Sequence, residues 1–380
     1  MIISAKKVNP KSSNPIIALF KKDMVFTISF VLALITSFMY TPKLDYIDFK
    51  VLFSLFNLMI AVRAFEDLKI LDQFAISLLN RCSNTNKISL CLIGLCFFSS
   101  MLLTNDVALI TFVPLTLIIG KKSNLLMLDT IILQTLAANI GSSLTPMGNP
   151  QNLFIFSHYH LTSVQFFQSV IFFVILGGFW LYVLNSRLDS IDLNVKLDSI
   201  QIKNKGKSIL WMVLFFIIIL SILGTINYKF ALILTILMIL FLDQTLLFKI
   251  DYLLLLTFVC FFIFIGNISH MNQVHVYMTK HLNSPIHTYF ISIGLSQLIS
   301  NVPACILLSG FTNDWKALLL GVNIGGLGTL VASLASVISF KLFIQEHPQN
   351  SKKYMLKFSI YNLLGLSLFT IINYFILRFV

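Results

Sequence analysis

Two stretches decide the reading of this chain. The first is Thr104-Asn105-Asp106. The second is Ala137-Ala138-Asn139-Ile140-Gly141-Ser142-Ser143-Leu144-Thr145-Pro146-Met147-Gly148-Asn149-Pro150-Gln151-Asn152. Both are polar or broken by Gly and Pro, and both interrupt runs that are otherwise apolar. In hydrocarbon, an irregular backbone survives only where it is buried in protein or lines a cavity. Discontinuous helices of this kind mark the binding site of a membrane transporter.

The surrounding composition places these breaks in lipid. Of the 380 residues, 57% are hydrophobic and 11% charged, with a mean hydropathy of +0.89. A soluble domain carries roughly 25% charged residues. A span needs about 20 apolar residues, so the chain reads as an all-α polytopic membrane protein of about 10–11 spans. No length remains for a separate soluble domain.

The net charge of +12 does not indicate nucleic acid, because Lys and Arg lie in short clusters between apolar runs. Assigned to loops, 21 of the 27 fall on one side, beginning with Lys6, Lys7, Lys11, Lys21 and Lys22. That bias puts the N-terminus in the cytoplasm and the C-terminus outside, in a multi-pass protein of the cell membrane. The first apolar run has no small-residue cleavage site after it and reads as a span rather than a removed signal. The Lys/Asn/Ile/Phe-rich composition fits an A+T-rich bacterial genome.

Cys82, Cys91, Cys96, Cys260 and Cys305 show no metal-like pairing and read as small apolar packing residues. His158, His160, His270, His275, His281 and His287 fall in outer segments and read as ordinary loop histidines, with pH sensing as the alternative. No His-Glu-x-x-His, Cys-x-x-Cys or phosphate-binding Gly-x-x-x-x-Gly-Lys-Ser/Thr is present, so metal sites and an ATP-driven pump lack support. An intramembrane enzyme is the distant alternative; Gly-x-Ser-x-Gly is missing and mid-membrane carboxylates reduce to one.

In order, residues 1–23 are a basic tail and 24–184 a first repeat. The first repeat has a span to Tyr40, a span from Phe49 that stops at Arg63, and an amphipathic surface helix within 64–87. A re-entrant hairpin follows over about 88–120, with Thr104-Asn105-Asp106 at its tip and positive mouths at Lys87 and Lys121-Lys122. Next comes a broken helix over about 125–157, unwound from Asn139 to Pro150. Residues 185–208 read as a cytoplasmic linker. The second repeat, 209–380, has a polar outer segment at 266–287 and a hairpin over about 288–311 with Ser300-Asn301 at its tip. Its broken helix covers about 317–340 around Asn323-Ile324-Gly325-Gly326-Leu327-Gly328-Thr329, and a cytoplasmic stretch at 341–357 precedes the last span.

The two halves share an order. Thr104-Asn105-Asp106-Val107-Ala108 matches Ser300-Asn301-Val302-Pro303-Ala304. Asn139-Ile140-Gly141-Ser142 matches Asn323-Ile324-Gly325-Gly326, and Thr145 then matches Thr329. The charge pattern inverts the second copy relative to the first. Inverted repeats with discontinuous helices are the architecture of secondary transporters.

With these motifs the chain resembles the ion transporter superfamily, which includes citrate transporters, divalent anion:sodium symporters, arsenite permeases and one class of sodium/proton antiporters. The Asn-Asp and Ser-Asn-x-Pro-Ala tips look closer to the citrate/arsenite permease branch. The resemblance implies a scaffold and a moving transport domain, elevator-like alternating access, often a homodimer, and ligands held between the hairpin tips. Symporters for dicarboxylates typically carry Ser-Asn-Thr at both tips. The second break here, Thr329-Leu330-Val331-Ala332-Ser333, lacks the proline of the first.

The candidate site residues are Thr104, Asn105, Asp106, Asn139, Gly141, Ser142, Thr145, Gly148, Asn149, Ser300, Asn301, Asn323, Gly325, Gly326 and Thr329. Half-helix N-termini offer N–H groups to an anion. Asn supplies donors and acceptors, and Thr and Ser supply hydroxyls. The glycines let backbone approach a ligand. A coupling Na⁺ is expected at Asn105, Asp106, Asn139 and Gly141, or a proton on Asp106; no cofactor is expected. Asp106 is a functional candidate because a mid-membrane carboxylate is costly, and the competing reading is a helix N-cap. For Asn139 and Asn323 the competing reading is a left-handed helix stop.

The resulting expectation is a secondary transporter moving a small inorganic or organic anion, such as citrate or another carboxylate or an oxyanion, with Na⁺ or H⁺. The alternatives are proton-coupled efflux of arsenite-like oxyanions and Na⁺/H⁺ antiport.

Overall fold

A computed structural model describes residues 24–193 and 197–379. The basic tail 1–23 and Lys196 lie outside the described residues. Among those described, seventeen α-helices and a few 3-10 turns carry the chain, and the only bridge is an isolated pair, Asn84 with Asp192. The chain is an all-α polytopic membrane protein. Among the described residues, five helices are long and apolar enough, by length and composition, to cross a membrane unbroken. Large apolar side chains such as Phe38, Phe98, Phe179, Phe216 and Phe241 stand on the outside of the bundle, as a lipid-facing surface requires.

The first helices are α1 (Met24–Met39), α2 (Phe49–Leu68) and α3 (Ile70–Leu79). The expected stop of α2 at Arg63 is wrong. Arg63 meets Glu66 at 2.6 Å and Asp67 at 3.8 Å, one helical turn on, and Asp67 also pairs with Lys249. Neutralised at i+3 and i+4, the charges stay helical to Lys69, which ends α2 in a left-handed conformation with φ 64°. The amphipathic helix shortens to α3, whose Ala75, Ile76 and Leu79 are buried.

The first hairpin is α4 (Thr85–Leu103) and α5 (Asn105–Ser123), and Thr104 alone makes the reversal. Its mouths open at one end. Thr85 N–H donates to Ile191 O at 2.9 Å, and Lys122 meets Asp198 at 3.7 Å. Both partners belong to residues 185–208. The described residues of that stretch are tied to the helices around them: Asn80 exchanges two bonds with Leu197, of 3.0 and 2.8 Å.

The first broken helix is α6 (Leu128–Gly141) and α7 (Pro150–His158), joined by two short 3-10 turns. The unwound part is therefore shorter than expected, and Asn139 to Gly141 stay helical. Pro150 stands at the first position of α7, where its missing N–H costs nothing, and Asn149 caps it by accepting from Asn152 N–H at 2.9 Å. Then α8 (Ser163–Ser186) crosses back behind a Thr162–Gln165 capping box.

The second half repeats the order with α9 (Lys205–Ile222), α10 (Tyr228–Leu242) and α11 (Tyr252–Ser269). The outer segment 266–287 is largely helical, because α11 runs on to Ser269 and α12 (Asn272–His281) follows. The second hairpin is α13 (Pro285–Ile299) and α14 (Asn301–Ser309), reversed at Ser300. The second broken helix is α15 (Trp315–Gly325) and α16 (Leu334–Glu346), and α17 (Ser351–Phe379) ends the chain. The stretch 341–357 is correspondingly not a loop, since α16 and α17 reach into it from both sides.

Helices α1, α2, α9, α10 and α11 pack on one another; the hairpins, the broken helices, α8 and α17 pack as a second group. In that second group the repeats interlock, with α5 lying against α16 and α14 against α7.

Candidate functional site

Each tip is built on one strained residue. Thr104 has φ 78° and ψ 148°, and Ser300 has φ 74° and ψ 155°. Side chains rarely occupy this region, which costs about 1–3 kcal/mol. The two repeats therefore pay the same strain at matched places, and both use a small hydroxyl residue where Gly would be easier. The reversal places the N-termini of α5 and α14 at the buried residues Asn105 and Asn301 within the second helix group. Such N-termini attract negative charge.

Asn105 and Asn301 start α5 and α14, and both are buried. Asn105 Nδ2 donates to Asn139 Oδ1 at 3.1 Å, and Asn105 Oδ1 accepts from Asp106 N–H at 3.0 Å. Ser300 Oγ donates to Ala332 O at 3.3 Å, at the edge of the second break. Asp106 sits in the first turn of α5. The geometric cap is Thr104, and Asp106 caps nothing: its Oδ1 is buried without a hydrogen-bond partner. The carboxylate is thus placed at the positive end of a helix, beside the tip, with acceptor capacity left over.

Asn139 and Asn323 do not stop their helices in a left-handed conformation; both lie inside regular turns. Each instead reaches into the other repeat. Asn139 Oδ1 accepts from Ser333 Oγ at 2.9 Å, and its Nδ2 donates to Ser336 Oγ at 3.4 Å and Gly326 O at 3.5 Å. Asn323 Oδ1 accepts from Asn149 Nδ2 at 3.2 Å, and its Nδ2 donates to Asn152 Oδ1 at 2.7 Å. By the internal repeat, Ser333 and Ser336 stand where Asn149 and Asn152 stand. The two braces are one arrangement made twice, crossed between the halves. Ser142 Oγ completes it by accepting from Asn149 Nδ2 at 3.2 Å.

Thr145 and Thr329 are matched as well. Thr145 Oγ1 donates to Met101 O, and Thr329 Oγ1 donates to Gln297 O at 3.1 Å, each three residues before its tip. Thr145 is buried, whereas Thr329 is exposed.

The glycines do something other than expected. A Cβ on Gly141 would strike the Phe97 carbonyl and Ser100 Oγ, and one on Gly325 would lie 2.8 Å from Ser296 Cβ. Ser100 and Ser296 each sit four residues before a tip. These glycines seat the broken helices on the hairpin arms, and they face protein rather than a ligand. Gly148 likewise faces the Ser142 backbone, and Gly326 faces the Asn301 amide at 2.9 Å.

Asn152, Ser333, Ser336 and Gln297 were missed in the sequence. The repeat itself held the signal, since each lies at a fixed offset from a recognised position. A further cavity of about 420 Å³ lies where the two helix groups meet, lined by Asp48, Ser157, His158 and Ser309 among others. Ser157 Oγ donates to Asp48 Oδ2 there at 3.0 Å. Among the described residues no group of three metal-binding side chains occurs.

Comparison with known proteins gives this geometry its setting. The sequence profile described as "Citrate transporter" matches residues 15–313. The chain is 38% identical over 299 residues to the uncharacterized transporter MJ0456 of Methanocaldococcus jannaschii, covering 78% of this chain and 81% of that protein. It is 26% identical over 351 residues to the inner membrane protein YbiR of Escherichia coli, covering 87% and 88%. A shorter match, 31% over 134 residues, links 34% of the chain to 23% of the putative transporter arsB of Dictyostelium discoideum.

Proposed function

The chain belongs to the citrate transporter family, and from that premise we propose that it is a secondary active transporter for a small anion, a carboxylate or an oxyanion, coupled to H⁺ or Na⁺. The observation that carries the reading is the pair of strained tips. Thr104 and Ser300 aim two helix N-termini at one buried region, and Asp106 stands beside the first with an unpartnered oxygen. The N–H groups hold the anion. Asp106 takes the coupling ion, which lowers the charge that must cross a low-dielectric medium. Asn105, Asn301 and the hydroxyls of Thr104 and Ser300 orient the anion. The N-terminus faces the cytoplasm, and the group containing hairpins and broken helices slides as one body along α1, α2, α9, α10 and α11. The crossed Asn139 and Asn323 braces support movement as a unit, because they tie the repeats together.

Na⁺/H⁺ antiport is a second reading. It is favoured by the same carboxylate, which would bind a cation directly.

The test is uptake into proteoliposomes, with citrate, succinate, sulfate, phosphate and arsenite offered under a pH gradient or a Na⁺ gradient. Wild type is expected to accumulate one of these anions under one gradient. Asp106→Asn is expected to purify and melt like wild type while losing the gradient dependence. Wild-type coupling from Asp106→Asn at every pH and Na⁺ concentration would overturn the assignment. Sodium flux that ignores every anion would favour antiport.

A further inference from the structure

The second break contains a side chain that the transport reading does not use. Gln297 lies on α13, three residues before the Ser300 tip. Its Nε2 donates to Gly325 O at 2.7 Å, Ile293 O at 3.1 Å and Leu327 O at 3.2 Å. Its Oε1 accepts from Thr329 N–H at 2.9 Å. Two of these carbonyls, Gly325 O and Leu327 O, belong to the end of the broken helix and the break, and Ile293 O is the helical carbonyl beside them; carbonyls gathered at an unwound transporter helix are the environment offered to Na⁺. Here an amide nitrogen stands among them.

The first repeat solves the same problem from the other side. Met101 occupies the position of Gln297 and has no polar group to offer. Asn152, on α7, supplies the amide instead, with its Nδ2 3.2 Å from Ser142 O, 3.3 Å from Ser143 O and 3.2 Å from Thr145 O. In the second repeat the place of Asn152 is taken by Ser336, whose hydroxyl is too short for this and meets Asn139. So the amide has changed element between the repeats, while its role toward the freed carbonyls is kept. Gly328 adds an independent sign. It has φ 117°, and a Cβ there would collide with Gln297 Oε1. The turn has been shaped around the glutamine.

We propose that Gln297 is a tethered stand-in for a cation at the second break, so that this repeat holds its broken helix without binding Na⁺. The inference rests on the reading of the breaks as transport-site elements and makes Gln297 a positioning residue that removes one ion from the cycle. A neutral amide satisfies the carbonyls through its N–H dipoles, and it never leaves. Without it, the carbonyls of Gly325 and Leu327 lose their amide partner, while Ile293 O keeps its helical partner inside α13.

The test is thermal unfolding of purified wild type, Gln297→Ala and Gln297→Glu in matched NaCl, KCl and choline chloride. A ligand of the native state raises the apparent melting temperature in proportion to its occupancy. Gln297→Ala is expected to melt below wild type in choline and to recover by about 2 °C or more in NaCl, saturating with concentration, with no such recovery in KCl. Gln297→Glu places a carboxylate beside the carbonyls and is expected to show a larger Na⁺ response. Folded variants whose Na⁺ response equals that of wild type overturn the proposal. So does failure of both variants to fold in any of the salts, which would make the amide a packing residue. Variants that purify only in Na⁺ support it. Uptake is not read here, so a failed transport assay leaves this result standing on its own.

Discussion

Asn323→Ala tests the crossed braces. The alanine removes three bonds, to Asn149 Nδ2, Asn152 Oδ1 and Leu319 O. Their losses differ. Leu319 O lies inside α15 and keeps a helical partner, and Asn149 Nδ2 keeps Ser142 Oγ. Asn152 Oδ1 has no replacement, and Asn152 is fully buried. One orphaned buried acceptor costs about 1–3 kcal/mol. The space vacated by the amide adds roughly 1 kcal/mol, by analogy with truncations in packed interiors. The variant should therefore be less stable by about 2–4 kcal/mol. Asn152→Ala gives the partner measurement, and the double variant closes a cycle. Polar pairs between membrane helices couple by about 0.6 kcal/mol on average and up to about 1.7 kcal/mol. The short geometry here predicts the upper part of that range. Reversible unfolding in mixed micelles, or melting calibrated against it, reads all four corners. A coupling energy of zero with both single variants destabilised would mean that the two asparagines act separately, and the interlocking of the repeats would lose its main support.

Two further outcomes follow from the tips and their seats. Gly141→Ala pushes a methyl against the Phe97 carbonyl, which is backbone and cannot rotate away; overpacking of this kind costs about 1–3 kcal/mol, read as a lowered melting temperature, and an unchanged one would refute the close seat of α6 on α4. Thr104→Gly relieves a strained φ worth about 1–3 kcal/mol at a cost of about 0.5–1 kcal/mol in chain entropy, so the variant should melt at or above wild type while uptake falls through loss of a fixed tip. A lower melting temperature with full uptake would contradict the strain.

Much of this arrangement was legible because polar residues are conspicuous against an apolar background. Thr104-Asn105-Asp106 and Ser300-Asn301 could be placed at hairpin tips, and the breaks after Asn139 and Asn323 could be located, from that contrast alone. The continuation of α2 past Arg63 was missed, although Glu66 and Asp67 lie at the helical spacings that neutralise it. What could not be read is what each residue faces. Gly141 and Gly325 look the same in sequence whether they open toward a ligand or toward a neighbouring helix, and only the position of Phe97 or Ser296 decides. Asn139 and Ser333 are remote in sequence, so no local pattern announces their bond. Gln297 was passed over because an amide two residues from a helix end is unremarkable until the carbonyls of Gly325 and Leu327 fold back onto it.

The crossed braces also set a schedule for biogenesis. Asn139 enters the membrane during synthesis well before Ser333 and Ser336 exist, because 194 residues separate it from the first of them (333 − 139). At about 5–20 residues per second, the ribosome takes roughly 10–40 s to supply that partner. During this interval the Asn139 side chain has one of its four final bonds, the one from Asn105. Asn105, which already meets Asn139 within the first repeat, is available to hold it in the meantime. The first half therefore cannot complete its braces until the second half has been made. Substitutions at Asn139 or Asn105 would accordingly lower the yield of inserted protein before they alter any property of the finished one.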